Sequence, residues 1–179
     1  MLGIAIEVDT TQEIEQVFRQ HHVMVYRAAY RVTGNHDDAE DVLQNVFLRW
    51  IRREGQADPV DNVESYLRRS AVNAAIDLIR SRQNKTVSLD DVAPLLAETP
   101  SQNPDKVRAS NEIRDWLRQA VSRLHPSAAE MFTLRFFEGK ENSEIAQIIG
   151  TTPGTVAVTL HRTRDRIQKE FRQFMGGKQ

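Results

Sequence analysis

The sequence predicts an all-α protein built as two small helical domains joined by a flexible acidic linker. Three observations lead there. Apolar residues recur at steps of three and four along most of the chain, no alternating stretch of useful length competes, and one polar, acidic segment interrupts the pattern. With 179 residues, 40% of them hydrophobic, and only 8 Gly and 6 Pro, the chain is globular rather than disordered.

The first helix is expected from Thr10, where Thr10 and Glu13 match a capping box. Ile14, Val17, Phe18, Val25, Ala28, Ala29 and Val32 form its apolar face, and Gly34-Asn35 ends it. A second stripe follows in Ala39, Val42, Leu43, Val46, Phe47 and Trp50. The third helix is expected over 62–82, with Tyr66, Leu67, Ala71, Ala74, Ala75, Leu78 and Ile79 as candidate buried positions. Residues 84–103 then lose the period, carry Pro94 and Pro100, and read as the linker. Asn103-Pro104 has the form of an N-cap followed by proline at the first helical position. The helix it opens is expected to reach Leu124 through Val107, Ile113, Leu117, Ala120 and Val121, with shorter helices over 126–138, 143–149 and 153–172. The domains are therefore 10–83 and 104–175.

The absence of cysteine excludes disulfides and thiolate metal sites and suits a reducing cytoplasm. The N-terminus is acidic and lacks a basic start and a long apolar run, so no signal peptide is expected. No segment approaches the roughly 18 apolar residues of a membrane span. The net charge of −1 conceals sorted blocks: residues 36–41 hold four acids and no base, 64–85 net +3, 86–112 net −3, and 139–172 net +2. Such blocks can serve different partners, although a solvated mosaic explains them as well. His21, His22, His36, Asp37, Asp38, Glu40 and Asp41 make a poor metal site, because the acids share one helical turn and no second cluster closes a coordination shell. No phosphate loop, nucleophile elbow or zinc-protease pattern occurs, so neither an enzyme nor a cofactor is expected.

The most specific local signal is the segment Ser143 to Arg164. A helix-turn-helix needs a small residue where its helices cross, met by Ala146, and a residue tolerant of positive φ four positions on, met by Gly150. Six positions later it needs an apolar residue at the crossing, met by Val156. Ile145, Ile149 and Leu160 complete a core, and Thr152-Pro153 starts the second helix. In that motif the second helix enters the DNA major groove. A helical hairpin that merely packs is the competing reading. Arg162, Arg164, Arg166 and Lys169 downstream suit phosphates, or simply the helix dipole.

The order of segments narrows the choice. TGNHDDAEDVLQNVFLRW, then VESYLRRSAVNAAIDLIRSRQ, an acidic linker, and a helix-turn-helix ending TVAVTLHRTR resemble a bacterial extracytoplasmic-function sigma factor, from about Phe18 to Ile167. The resemblance implies a sigma region 2 bundle and a region 4 helix-turn-helix domain. It implies core RNA polymerase as partner, through the clamp helices of its largest subunit and the flap of the second, together with promoter DNA and an anti-sigma factor. Asp38, Glu40, Asp41, Gln44 and Phe47 match the residues that grip core polymerase; an acidic cluster favoured by the helix dipole is the plainer alternative. Arg68, Arg69, Asn73, Asp77, Arg80 and Arg82 fall where the −10 element is captured: an amide can bond a splayed base and guanidinium groups can hold phosphates. Tyr66 reads as a core residue, not a stacking platform.

The resemblance places Thr152, Pro153, Thr155, Ala157, Val158, Thr159, His161 and Arg162 against the −35 element. Here the chain departs from the family. Ala157, Val158 and Thr159 stand where bases or hydroxyls are common, and Ala and Glu in LHPSAAEMFTLRFFEG stand where a base is often found. Readout then falls to Thr155, Thr159, His161 and Arg162, to methyl contacts from Ala157 or Val158, or to groove shape. The departure keeps a second reading alive: a sigma mimic that occupies an anti-sigma factor without binding promoters. A free-standing regulator would leave the first domain without a purpose.

Overall fold

The computed structural model describes residues 3–53, 60–85 and 104–177, and every regular element among them is a helix. The chain divides into two compact units, Met1–Ala75 and Ile76–Gln179.

In the first unit, α1 spans Gly3–Thr33. It starts ahead of Thr10, so the Thr10–Glu13 pair lies inside the helix and not at its start. α1 ends where Gly34 takes φ +68°, a left-handed conformation that glycine adopts without a Cβ penalty, and its N–H donates to Tyr30 O at 2.7 Å. The next residue opens α2 (His36–Arg53): Asn35 Oδ1 accepts from Asp38 N–H at 3.1 Å. The two helices therefore turn back on each other within two residues. Val25, Ala28, Ala29 and Val32 of α1 are buried, as are Ala39, Val42, Val46, Phe47 and Trp50 of α2. Phe18 meets Phe47 edge-on with centroids 4.8 Å apart.

α3 spans Val63–Lys85 and is capped by Asn62, whose Oδ1 accepts from Ser65 N–H at 2.9 Å. Leu67, Ala71, Val72 and Ala75 are buried, and Tyr66 packs beside Trp50 at 5.5 Å with the Arg53 guanidinium 5.2 Å from its ring centroid. Tyr66 is thus a core-edge residue. The expected face of α3 is partly displaced: Ala74, Leu78 and Ile79 are only half-buried, whereas Val72 and Ile76 are buried. The seam follows the i, i+4 lines 67–71–75 and 72–76, a rotation that apolar identity alone does not distinguish.

In the second unit, α4 (Pro104–Ser122) ends two residues before Leu124; the N–H of Leu124 turns back to Val121 O at 3.1 Å. Most of the predicted linker, residues 86–103 with the expected cap Asn103, lies outside the described residues. α5 (Pro126–Phe136) is central, touching α4, α6 (Asn142–Ile149) and α7 (Pro153–Gly176). Consistent with that place, Ala129 through Leu134 are all buried, with no solvent face between them. Across α4 and α7, Trp116 lies 5.1 Å from Phe171 and 5.5 Å from Phe174.

Two polar groups of this unit have measurable consequences. Thr133 is fully buried and its Oγ1 has no hydrogen-bond partner, which costs about 1–3 kcal/mol. Thr133→Val keeps the shape and removes the hydroxyl, and is expected to raise stability by about 1 kcal/mol in urea unfolding. Glu170 joins α7 to the end of α4: Arg166 donates to it at 2.9 Å and Arg123 at 3.3 Å. Partial burial pushes its carboxyl up, but these hydrogen bonds and charges outweigh it and hold the group below its ordinary 4.5. A carboxyl depressed on folding stabilises above its unfolded value, and that stability is lost as pH falls through the folded one. Glu170→Gln should therefore destabilise at pH 7 by less than about 1 kcal/mol, since both arginines are half-exposed, and the difference from wild type should vanish in acid.

Candidate nucleic-acid interface

The helix-turn-helix forms as its sequence implies. Gly150 closes α6 at φ +81°, and the N–H groups of Gly150 and Thr151 both donate to Ala146 O at 2.9 Å. Thr152 then caps α7, its Oγ1 accepting from Thr155 N–H at 3.2 Å, with Pro153 in the first turn. Ile145, Ala146, Val156 and Leu160 are buried at the crossing; Ile149 is half-buried.

Burial of Val156, Leu160, Thr163 and Ile167 fixes which side of α7 faces out. Thr152, Pro153, Thr155, Ala157, Val158, His161 and Arg162 are exposed and Thr159 is half-buried, so all eight residues assigned to the −35 element are accessible on one short stretch. Gly154, which the sequence reading passed over, is exposed among them. His161 Nδ1 is 3.5 Å from Asp165 Oδ2, an ion pair only when the imidazole is protonated. The glutamate that stands in place of a family base, Glu130, is 3% exposed, so that departure presents no negative charge to DNA.

The −10 candidates share α3 but differ in exposure. Arg69, Asp77 and Arg82 are exposed, while Asn73 is half-buried. Arg68 lies along the helix against Glu64 at 2.9 Å, its side chain 11% exposed. Arg80 donates from Nε to Ser122 O at 2.6 Å and from Nη2 to Leu124 O at 2.9 Å, and contacts Asp77 at 3.3 Å. A guanidinium at the C-terminal carbonyls of α4 satisfies acceptors the helix leaves open. The last turns of α3, from Ile76, fall in the second compact unit.

On α2, Glu40, Asp41 and Gln44 are exposed and form an acidic, hydrogen-bonding surface. The other two residues of that set are buried: Asp38 is 4% exposed and Phe47 is 5% exposed. A chain of contacts missed in the sequence supports this corner. Tyr26 Oη lies 2.7 Å from His36 Nδ1, and His36 Nε2 lies 3.3 Å from Glu40 Oε1. Burial raises the Tyr26 phenol above its usual 10.0, with the negative charge of Tyr30 and Glu40 adding to it, so the hydroxyl stays protonated. When that hydroxyl donates to Nδ1, the imidazole carries its proton on Nε2, toward Glu40. No spacing rule links residues 26 and 36; only the α1–α2 turn does. Elsewhere His22 stacks on Phe18 at 5.0 Å and bonds Phe18 O at 3.0 Å, a packing role. Among the described residues no group of three or more His, Cys, Asp or Glu is placed to hold a metal, and no helix is long and apolar enough to cross a membrane.

A second feature that the sequence reading missed is an apolar groove between α4 and α7. It has a volume of about 410 Å³ and is lined by Ile113, Trp116, Leu117, Ile167 and Phe171, with Gln168 and Arg172 on its rim. Ile113, an expected core position, is 38% exposed there.

Comparison with known proteins agrees with this arrangement. The family described as Sigma-70 region 2 matches residues 17–85, and Sigma-70, region 4 matches residues 114–167. The ECF RNA polymerase sigma factor SigE of Mycolicibacterium smegmatis is 31% identical over 156 residues, 86% of this chain; the match spans 60% of that relative's length. The RNA polymerase sigma factor CarQ of Myxococcus xanthus is 29% identical over 157 residues, 87% of each chain. In fold, the chain is similar to the sigma factor RpoE in complex with the anti-sigma factor NepR from Bartonella quintana. That likeness has a TM-score of 0.52 at 19% identity and covers 90% of this chain and 98% of that one. With region 2 and region 4 in order along one chain, and a capped, outward-facing helix-turn-helix in the second, the protein belongs to the extracytoplasmic-function group of the sigma-70 family.

Proposed function

We propose that this sigma factor divides its work between domains 10–83 and 104–175, joined by residues 84–103. The first domain binds core RNA polymerase through α2. Glu40, Asp41 and Gln44 offer negative charge and hydrogen bonds to the clamp helices of the largest subunit, while buried Asp38 and Phe47 hold that surface in shape. α3 captures the −10 element: Arg69 and Arg82 hold phosphates from exposed positions, and Asn73 meets an unstacked base beside Asp77. Arg68 and Arg80 join them by exchanging their present partners, Glu64 and the carbonyls of Ser122 and Leu124, for DNA.

The second domain lays the first turns of α7 in the major groove of the −35 element, with Arg162 and Arg164 along the phosphates. The groove at Trp116 receives the polymerase flap. The observation that carries this reading is the exposed start of α7: its buried line is complete without it, and its cap and turn are built. A mimic that only occupies an anti-sigma factor has no need of such a surface. An anti-sigma factor is the expected inhibitor, a reading supported by the complex in which the RpoE relative was solved. The protein acts at RNA polymerase in the cytoplasm, without membrane contact, cofactor or reaction of its own.

Run-off transcription with bacterial core polymerase, this chain and fragmented genomic DNA tests the proposal. The expected transcripts start downstream of a shared two-part element; neither transcripts nor core binding would favour the mimic. Reversing charge on α2 with Glu40→Arg and Asp41→Arg together should weaken association with core by about tenfold or more, measured by co-migration with the helix content of the variant checked alongside, because both residues are exposed on the acidic surface.

A further inference from the structure

The outermost position of the DNA-facing helix holds an aliphatic side chain. Val156, Leu160, Thr163 and Ile167 are the buried line of α7. At about 100° per residue, Val158 stands about 200° around the helix from Val156, on the side opposite the core. It is 52% exposed. A valine there lies outside the buried line of the helix, and it forms helix less readily than the long polar residues that suit an exposed face.

Gly154, one turn earlier on the same face, points the same way. Its backbone is not left-handed, and a Cβ built on it would meet only Thr152 Oγ1, at 3.9 Å, an ordinary contact. The fold therefore does not require glycine at a helical position that glycine disfavours. What its absent side chain provides is a notch through which the backbone can approach a ligand closely. The hydroxyls of the first turn are engaged with each other, Thr152 Oγ1 to Thr155 Oγ1 at 2.9 Å, while Thr152 also takes the Thr155 N–H. The start of α7 thus offers the groove an aliphatic knob beside a notch, where a donor array would be needed to read guanine.

One group on the major-groove edge of DNA is aliphatic: the C5 methyl of thymine. We propose that Val158 is a specificity-determining residue of the −35 contact and reads a thymine methyl, with Gly154 letting the helix sink until isopropyl and methyl touch. This rests on α7 being the −35-binding helix. It makes one A·T pair a requirement of the −35 element, in the place where a guanidinium at this position would select a G·C pair.

The test uses holoenzyme assembled from the full chain and core polymerase, selected on a promoter library randomised across the −35 element. The selected promoter is then remade with deoxyuridine for each −35 thymine in turn, which deletes only the methyl. One thymine should respond, with binding weakened about fourfold, the worth of one buried methyl group. Val158→Ala should lose both that response and the selection at that position while keeping every other preference, and its thermal unfolding should come no lower than wild type. No thymine sensitive to deoxyuridine, or a Val158→Ala holoenzyme that keeps the sensitivity, overturns the assignment. A library with no −35 enrichment at all would instead overturn α7 as the −35-binding helix, and this inference with it.

Discussion

The left-handed turn at Gly150 is the constraint on which the DNA-facing part of the molecule depends. Its N–H and that of Thr151 both close on Ala146 O, so the chain leaves α6 and enters α7 within three residues. The direction taken there packs α7 against α6 with Val156, Ile145 and Ala146 buried, and that packing sets the rotation of α7 about its own axis. Once the rotation is set, the outward positions follow without further choice: Gly154, Val158, His161 and Arg162 face solvent because Val156, Leu160 and Thr163 cannot. A side chain at position 150 would be strained by its φ of +81°, although nothing lies within 4 Å of a Cβ there. The turn is a backbone requirement and not a packing one.

The first unit uses the same device for a different end. Gly34 at φ +68° ends α1, and Asn35 immediately caps α2. The short turn lays the acidic first turns of α2 beside the aromatic side of α1, where Tyr26, His36 and Glu40 connect. Asp37, Asp38, Glu40 and Asp41 also sit where a helix dipole favours negative charge. A surface that attracts a basic partner is therefore also one the helix itself tolerates well, and stability and recognition do not compete there.

Charge is used locally. The arginines of α3 differ in exposure and setting: Arg69 and Arg82 are exposed, Arg68 lies on Glu64, and Arg80 holds three bonds that include two carbonyls at the end of α4. Any DNA phosphate that recruits Arg80 must replace those carbonyls, and the exchange is between hydrogen bonds of similar kind. On α7, Glu170 gathers Arg123 and Arg166 and so ties the far end of the recognition helix to α4, away from the residues that face DNA.

Helical character and the helix-turn-helix were legible in the sequence because both rest on local rules: the three-and-four period, proline and threonine at a helix start, glycine where φ turns positive. The outward set on α7 was equally legible, since one buried valine and the helical period determine it. What the sequence could not settle depended on neighbours distant along the chain. Asp38 and Phe47 look as available as Glu40 and Gln44 by spacing, yet the fit of α2 against α1 buries the first two. The buried seam of α3 shifted to Val72 and Ile76, because a helix with apolar residues on several sides takes its rotation from what it packs on. The pairing of Tyr26 with His36, the aromatic groove at Trp116 and the capture of Arg80 by the carbonyls of Ser122 and Leu124 each join residues with no fixed sequence relation. The sequence by itself determined the elements and the face each can offer; tertiary contact decided which of those faces remain open, because burial is a property of pairs of surfaces and not of either one.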